Sequence, residues 1–166
     1  MPKYYIYLIF AIGFCLILIA IVPKTEIRRL SIHGIIFGGM LDVLVHVFGN
    51  VTGLFAWINY GPLGILGLPI FPSISWAIFF IMYFYFIPVI KPLNYVFALV
   101  SVFFSVVYFN LMIDLGILKA SSRFLVPVMG FAAWFWIATW GFYKLSHYIE
   151  VETNLIRAKD PEKGGA

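Results

Sequence analysis

Asp42 and His46 lie four residues apart in an apolar stretch of the chain, residues 30–49. Residues at this spacing face the same side of an α-helix, so the carboxylate and the imidazole are predicted to meet the same neighbours. Together such groups can hold or move a proton, or bind a cation or a small polar solute. A purely structural interpretation stands beside this one, in which the carboxylate orients or charges the imidazole and makes the burial of both tolerable.

Two glycines continue this spacing toward the start of the stretch. Gly34 and Gly38 extend the four-residue repeat of the polar pair, so the four residues form one slowly drifting stripe along a helix. Glycines four apart let another backbone approach closely, as small residues do at helix contacts in membranes. The stripe is therefore predicted to face protein, with Gly34 and Gly38 as a helix-packing face.

Two further hypotheses involve cofactors. Asp42, His46 and Asp114 offer an imidazole and two carboxylates, a donor set adequate for Zn²⁺ or Mn²⁺, but no HExxH-type spacing accompanies them. His33 and His147 are predicted at one membrane level on separate helices, as two axial haem ligands would be. Neither set identifies a cofactor, so the cofactor is left open.

The composition excludes an ordinary soluble protein. Of the 166 residues 63% are hydrophobic, 20% are aromatic and only 11% are charged, whereas soluble domains carry about 25% charged residues. The same figures exclude a disordered chain and a coiled coil, and the single Cys15 excludes a disulfide scaffold. The net charge of +4 comes from basic residues scattered along the chain, so it indicates membrane topology rather than a nucleic-acid partner.

Five stretches are long and apolar enough to predict membrane-spanning helices. A span needs about 20 apolar residues, at ~1.5 Å rise each, to cross a hydrocarbon core of roughly 30 Å. The predicted spans are residues 4–22, 30–49, 74–90, 93–113 and 125–149. The expected fold is an all-α bundle of five transmembrane helices in one domain, 1–149, followed by a short charged cytoplasmic tail, 150–166.

The loop charges predict the orientation of these spans. Lys and Arg collect on the cytoplasmic side of a membrane. With the N-terminus outside, five spans place eight of the eleven basic residues on the cytoplasmic side, whereas a sixth span over residues 51–71 would remove the bias. We therefore predict a multi-pass protein of a bacterial plasma membrane, with its N-terminus outside and its C-terminus in the cytoplasm.

The segment between the second and third spans does not fit a water-exposed loop. Residues 50–72 contain no Lys, Arg, Asp or Glu, and their four glycines and three prolines exclude a continuous helix. The segment is therefore expected in or on the membrane. It is either re-entrant, where its backbone must line a cavity, or interfacial, with its aromatic residues at the headgroups.

A second polar pair is predicted at the same depth as the first. Asn110 and Asp114 are four residues apart in the fourth span, which runs in the same direction as the second. The rise of a helix brings both pairs into the outer half of the membrane, beneath the segment that contains Asn59 and Tyr60. We expect these six residues to form one polar cavity and to be its ligand- or proton-binding groups.

The sequence leaves three classes of function open. The leading hypothesis is a small membrane protein that handles a proton, a cation or a small polar solute. It would act as a homo-oligomer or with other membrane subunits, because 166 residues cannot contain two inverted transporter halves. The alternatives are a non-transporting accessory or assembly subunit that binds its partner through the glycine face, and a metal-dependent membrane enzyme. The sequence contains no phosphate loop, nucleophile elbow or paired cysteines, which argues against an enzyme.

Overall fold

Five helices make up most of the computed structural model, which describes residues 2–65, 68–88 and 90–159. They are α1 (Tyr4–Ile21), α2 (Lys24–Thr52), α3 (Ile70–Phe86), α4 (Lys91–Asp114) and α5 (Leu125–Lys159). Within the described ranges, four of them are long and apolar enough to cross a membrane. The fifth, α3, is also apolar but has 17 residues. The predicted helical class is confirmed, and the apolar helices are compatible with a membrane protein.

Two prolines explain where helix α3 begins and ends. Helix α3 begins four residues before the predicted start at residue 74 and includes Pro72 in its first turn, where a missing N–H removes no intrahelical hydrogen bond. It ends at Phe86, two residues before Pro88, which cannot continue a helix.

Helix α2 begins at Lys24 rather than at residue 30, and its polar first turns carry an ion pair of 2.5 Å between Glu26 and Arg29. Of the predicted tail, residues 150–159 continue α5, and residues 160–166 lie outside the described residues.

Helix α3 is the centre of the bundle. Its aromatic residues pack on α5, where the ring of Phe80 stacks on that of Trp134 with their centroids 5.6 Å apart. The side chains of Phe80 and Phe135 are essentially inaccessible, at 0% and 1% exposed. The outer faces of the other four helices instead expose large apolar side chains, among them Leu16, Leu44, Leu99 and Trp136. A bundle that is apolar both inside and outside is what a lipid environment requires.

Helix α2 contains a π-helical segment, Gly34–Met40, directly before Asp42. Gly34 and Gly38 are both buried there against α3. A Cβ atom on Gly34 would lie 2.7 Å from the carbonyl oxygen of Ala77, and one on Gly38 would lie 2.7 Å from the Cα of the same residue. The backbones of α2 and α3 are therefore in direct contact, and glycine is the residue type that permits it.

The segment between α2 and α3 pairs with the loop between α4 and α5. Strand β1 (Phe55–Trp57) runs antiparallel to β4 (Leu118–Ala120), and β2 (Gly64–Ile65) runs antiparallel to β3 (Leu68–Pro69). We call residues 53–65, 68–69 and 115–124 together the cap, because they cover one end of the bundle. Of the predicted segment 50–72, residues 50–52 belong to α2 and residues 70–72 to α3, and the described residues between them form short strands and turns. Whether the cap enters the membrane stays a prediction.

Helix α1 holds the two halves of the cap together through one side chain. The hydroxyl of Tyr7 lies 2.6 Å from the carbonyl oxygen of Ile58 and 2.8 Å from that of Ile117. The amide of Ile58 also donates to the carbonyl of Ile117, at 2.9 Å. Tyr7 is 3% exposed, so both carbonyls meet the hydroxyl away from solvent.

We expect the substitution Tyr7→Phe to loosen the cap. It removes the hydroxyl donor of the Ile58 carbonyl, while the carbonyl of Ile117 keeps its hydrogen bond from the amide of Ile58. The free energy of unfolding should fall by about 1 to 3 kcal/mol, the cost of leaving a buried acceptor unpaired. Thermal unfolding in detergent and amide hydrogen exchange of residues 55–58 would measure the effect. Tyr95→Phe is the control, since Tyr95 is 70% exposed. Equal stability of the two variants would contradict this role for Tyr7.

Candidate functional site

Asp42 is buried where α2 meets the first turns of α3. It is 1% exposed, although it carries a carboxyl group. The hydroxyl of Ser73 donates a hydrogen bond of 2.7 Å to its Oδ2 atom. The π-helical segment ends two residues before Asp42, and π-helical turns are frequent at functional sites.

His46 lies one turn further along α2 and is 3% exposed. Its Nδ1 atom is 3.2 Å from Oδ2 of Asp42, within ion-pair distance but off the direction of a hydrogen bond. Its Nε2 atom accepts a hydrogen bond from the indole N–H of Trp57. Because an indole N–H only donates, Nε2 carries no proton, and the imidazole proton lies on Nδ1, on the side of Asp42. Among the described residues, Nδ1 has no hydrogen-bond acceptor.

Trp57 is a site residue that no sequence pattern identifies. It lies on β1, and its register opposite Leu118 is set by pairing with a strand about sixty residues away. Its indole ring meets the imidazole of His46 edge to face, with the centroids 5.6 Å apart. The sequence feature that could have pointed to Trp57 is that it is the only tryptophan in segment 50–72, which contains no charged residue. Nothing local indicated that this ring would reach His46.

Asp42 and His46 form the polar part of the wall of a cavity of about 420 Å³. Residues of α2, the cap, α3, α4 and α5 contribute to its wall. Much of this wall is aromatic: Phe55, Trp57, Trp76, Tyr108, Phe109, Phe131 and Trp134. Two lining residues are exposed on the outside of the bundle, Phe48 on α2 (58%) and Met129 on α5 (65%). The cavity therefore opens sideways between α2 and α5, and we call it the aromatic cavity.

Asn110 and Asp114 do not join this cavity. Asn110 donates to the carbonyl oxygens of Val106 (2.9 Å) and Arg123 (2.8 Å), and Asp114 pairs with the Arg123 guanidinium at 2.8 Å. The reason is the rotation of α4, whose cavity-lining residues are Tyr108, Phe109 and Met112. Asn110 follows Tyr108 by two positions, which is roughly 200° around a helix. The expected cavity of two facing polar pairs is therefore not formed, and the Asp114–Arg123 pair is a surface contact.

Asn59 and Tyr60 lie in the cap rather than in the aromatic cavity. Asn59 has a left-handed backbone, with φ of 61°, a conformation that asparagine tolerates better than most residues. Its side-chain amide donates to the carbonyl oxygen of Gly116 at 2.8 Å and so ties the two loops together. Tyr60 is half-buried, with its ring against Gly64. Both residues therefore lie outside the cavity wall and make contacts within the cap.

The two histidines considered as haem ligands do not face each other. His33 is buried between the rings of Phe84 and Phe142, with its Nε2 atom 3.4 Å from the hydroxyl of Ser146. His147 follows Ser146 by one position, about 100° around α5, and is exposed. A haem between the two imidazoles is therefore not supported.

The metal site considered from the sequence lacks one of its three ligands. Asp114 is on the outer face of α4, away from Asp42 and His46. In the part of the chain that the structure describes, no three His, Cys, Asp or Glu residues lie close enough to hold a metal ion.

The chemistry available in the aromatic cavity follows from its two kinds of surface. The aromatic wall favours an apolar group, while the carboxyl of Asp42 and the imidazole of His46 supply hydrogen-bonding atoms beside it. Such a site suits a molecule with an apolar body and one polar group. The protein-family models, curated proteins and solved structures compared with this chain gave no match.

Proposed function

We propose that this chain is a membrane-embedded binding protein for an amphipathic molecule. The apolar body of the ligand would fill the aromatic cavity, and its polar group would hydrogen-bond with Asp42 and His46. One observation carries the proposal: a buried carboxyl and imidazole form the polar wall of an otherwise apolar cavity of about 420 Å³. This volume lies in the range of about 300 to 1,000 Å³ that is typical of small-molecule sites.

The position of the opening supports a ligand that arrives from the bilayer. Phe48 and Met129 border the cavity and are exposed on the side of the bundle. In a membrane this side faces acyl chains, so an amphipathic molecule could enter laterally without crossing water. We propose the membrane setting from the four apolar helices and the orientation from the loop charges.

Conduction of a cation or a polar solute is less well supported by the same geometry. Such a solute needs a succession of polar groups to replace its water, and the second polar pair, Asn110 and Asp114, lies on another face of α4. The hypothesis of an accessory subunit requires the glycine face to bind a partner. This is less well supported, because Gly34 and Gly38 already contact α3 of the same chain. Association into a homo-oligomer stays a prediction.

Binding can be tested in nanodiscs with three ten-carbon probes that carry bromine at one end and an alcohol, an amine or a carboxylic acid at the other. Trp57, Trp76 and Trp134 line the cavity, so a bound probe should quench tryptophan fluorescence in a saturable way. We expect Asp42→Asn and His46→Gln to weaken the binding of the preferred probe about 3- to 10-fold, the effect of losing one hydrogen bond.

Asp114→Asn and His147→Gln are the matched controls, because they make the same chemical changes at exposed positions. Both should bind the preferred probe as the wild type does. If quenching by all three probes rises without saturation, as for simple partition into the bilayer, the proposed function is wrong.

A further inference from the structure

A second groove lies between α4 and α5, apart from the aromatic cavity. It encloses about 510 Å³, and none of its lining residues contributes to the wall of the aromatic cavity. Its sides are mostly apolar and exposed, with Leu99 71% and Trp136 73% exposed. A groove of this kind on the outside of a membrane bundle offers space for an acyl chain.

Polar side chains gather at one end of this groove. The side-chain amide of Asn94 donates a hydrogen bond of 2.7 Å to the hydroxyl oxygen of Tyr143. This leaves the hydroxyl proton of Tyr143 to be donated to another group. Both residues line the groove, at the end where α4 begins and where the apolar part of α5 ends.

Lys144 supplies a positive charge at the same end. Its Nζ atom lies 4.8 Å from the ring centroid of Trp140, which lines the groove. Such a contact holds the ammonium group by a cation–π interaction. Among the described side chains no acidic group forms an ion pair with Lys144. Within the described part of the chain, the end of the groove therefore combines a cation that has no acidic partner with a hydroxyl donor, two groups that can bind a phosphate.

The geometry points to a binding site for an anionic phospholipid between α4 and α5. One acyl chain lies in the groove along Leu99 and Trp136, and the phosphate meets Lys144 and the hydroxyl of Tyr143. The charge complementarity at this end selects a lipid with a net negative headgroup over a zwitterionic one. This site is independent of the proposed function of the aromatic cavity.

The site can be tested with lipids that carry bromine on their acyl chains. The full-length protein is placed in nanodiscs of phosphatidylcholine and phosphatidylglycerol, and only one of the two lipids is brominated at a time. Trp136 and Trp140 line the groove, so their quenching reports the lipid that occupies it. We expect phosphatidylglycerol to be preferred about fivefold over phosphatidylcholine, the effect of one lysine near a headgroup.

The substitution Lys144→Gln should remove this preference, and Lys144→Arg should keep it. The matched control is Lys119→Gln, which removes an exposed lysine on β4, at the other end of the bundle, and should leave the preference unchanged. Equal quenching by the two lipids in the wild type would overturn the proposal. The same holds if Lys119→Gln lowers the preference as much as Lys144→Gln does. If Lys144→Gln cannot be reconstituted, loss of the preference in Lys144→Arg, which retains the charge, would still overturn the proposal.

Discussion

Replacing Gly38 by alanine should destabilise the protein by roughly 3 kcal/mol, in the range measured for over-packed interiors. The added Cβ atom would lie 2.7 Å from the Cα of Ala77 and 2.8 Å from the carbonyl carbon of Trp76. Both are backbone atoms of α3, so no side-chain rotation can relieve the contact and the two helices must separate. The clash outweighs the gain of about 1 kcal/mol that alanine brings over glycine in a helix.

The neighbouring glycine provides the control for this prediction. A Cβ atom on Gly39 would lie 3.4 Å from the Cβ of Ala77, an ordinary van der Waals contact. Gly39→Ala should therefore be as stable as the wild type or up to about 1 kcal/mol more stable. Thermal unfolding in detergent, followed by tryptophan fluorescence, would separate the two variants, with Gly38→Ala lower by about 6 to 12 °C. Similar melting temperatures would show that the backbones of α2 and α3 are not in direct contact.

Replacing Gly130 by leucine should weaken ligand binding about tenfold or more without harming the fold. Gly130 lies on α5 and lines the aromatic cavity, and a Cβ atom added there meets no other atom within 4 Å. Because Gly130 borders the cavity, we expect a leucine side chain at this position to take up part of the space that the ligand needs. We expect the affinity for the preferred brominated probe to fall about tenfold or more. The free energy of unfolding should rise by roughly 0.5 to 1 kcal/mol, because leucine is a better helix former than glycine.

Gly13 on α1 allows a matched substitution outside the cavity. A Cβ atom there also meets nothing within 4 Å, and Gly13 does not line the aromatic cavity. Gly13→Leu should therefore raise the stability by a similar amount and leave probe binding unchanged. If Gly130→Leu still binds the probe with wild-type affinity, the ligand does not occupy the aromatic cavity. If both variants lose binding, the loss has another cause than filling of the cavity.

Asp42 and Asn110 show which structural properties can be predicted from the spacing of residues along a helix. A spacing of four residues correctly indicates that Asp42 and His46 share a face, as Asn110 and Asp114 do, because the pitch of a helix is a local property. Which face of α4 turns inward is not local. It depends on the packing of Tyr108, Phe109 and Met112 against residues far away in the chain. A rotation of α4 by half a turn would leave its own sequence pattern unchanged and would exchange the two faces.

The sequence by itself determined that the chain is helical, that its helices are apolar enough for a membrane, and that one polar pair shares a helix face. These properties follow from composition and from spacings of a few residues, which act within a single helix. Only the tertiary structure decided which side chains meet that pair. Ser73 reaches Asp42 from another helix, and Trp57 reaches His46 because β1 pairs with β4, more than sixty residues along the chain from β1. Such contacts depend on helix rotation and on loop pairing, which the packing of the whole chain sets and no short stretch of sequence specifies.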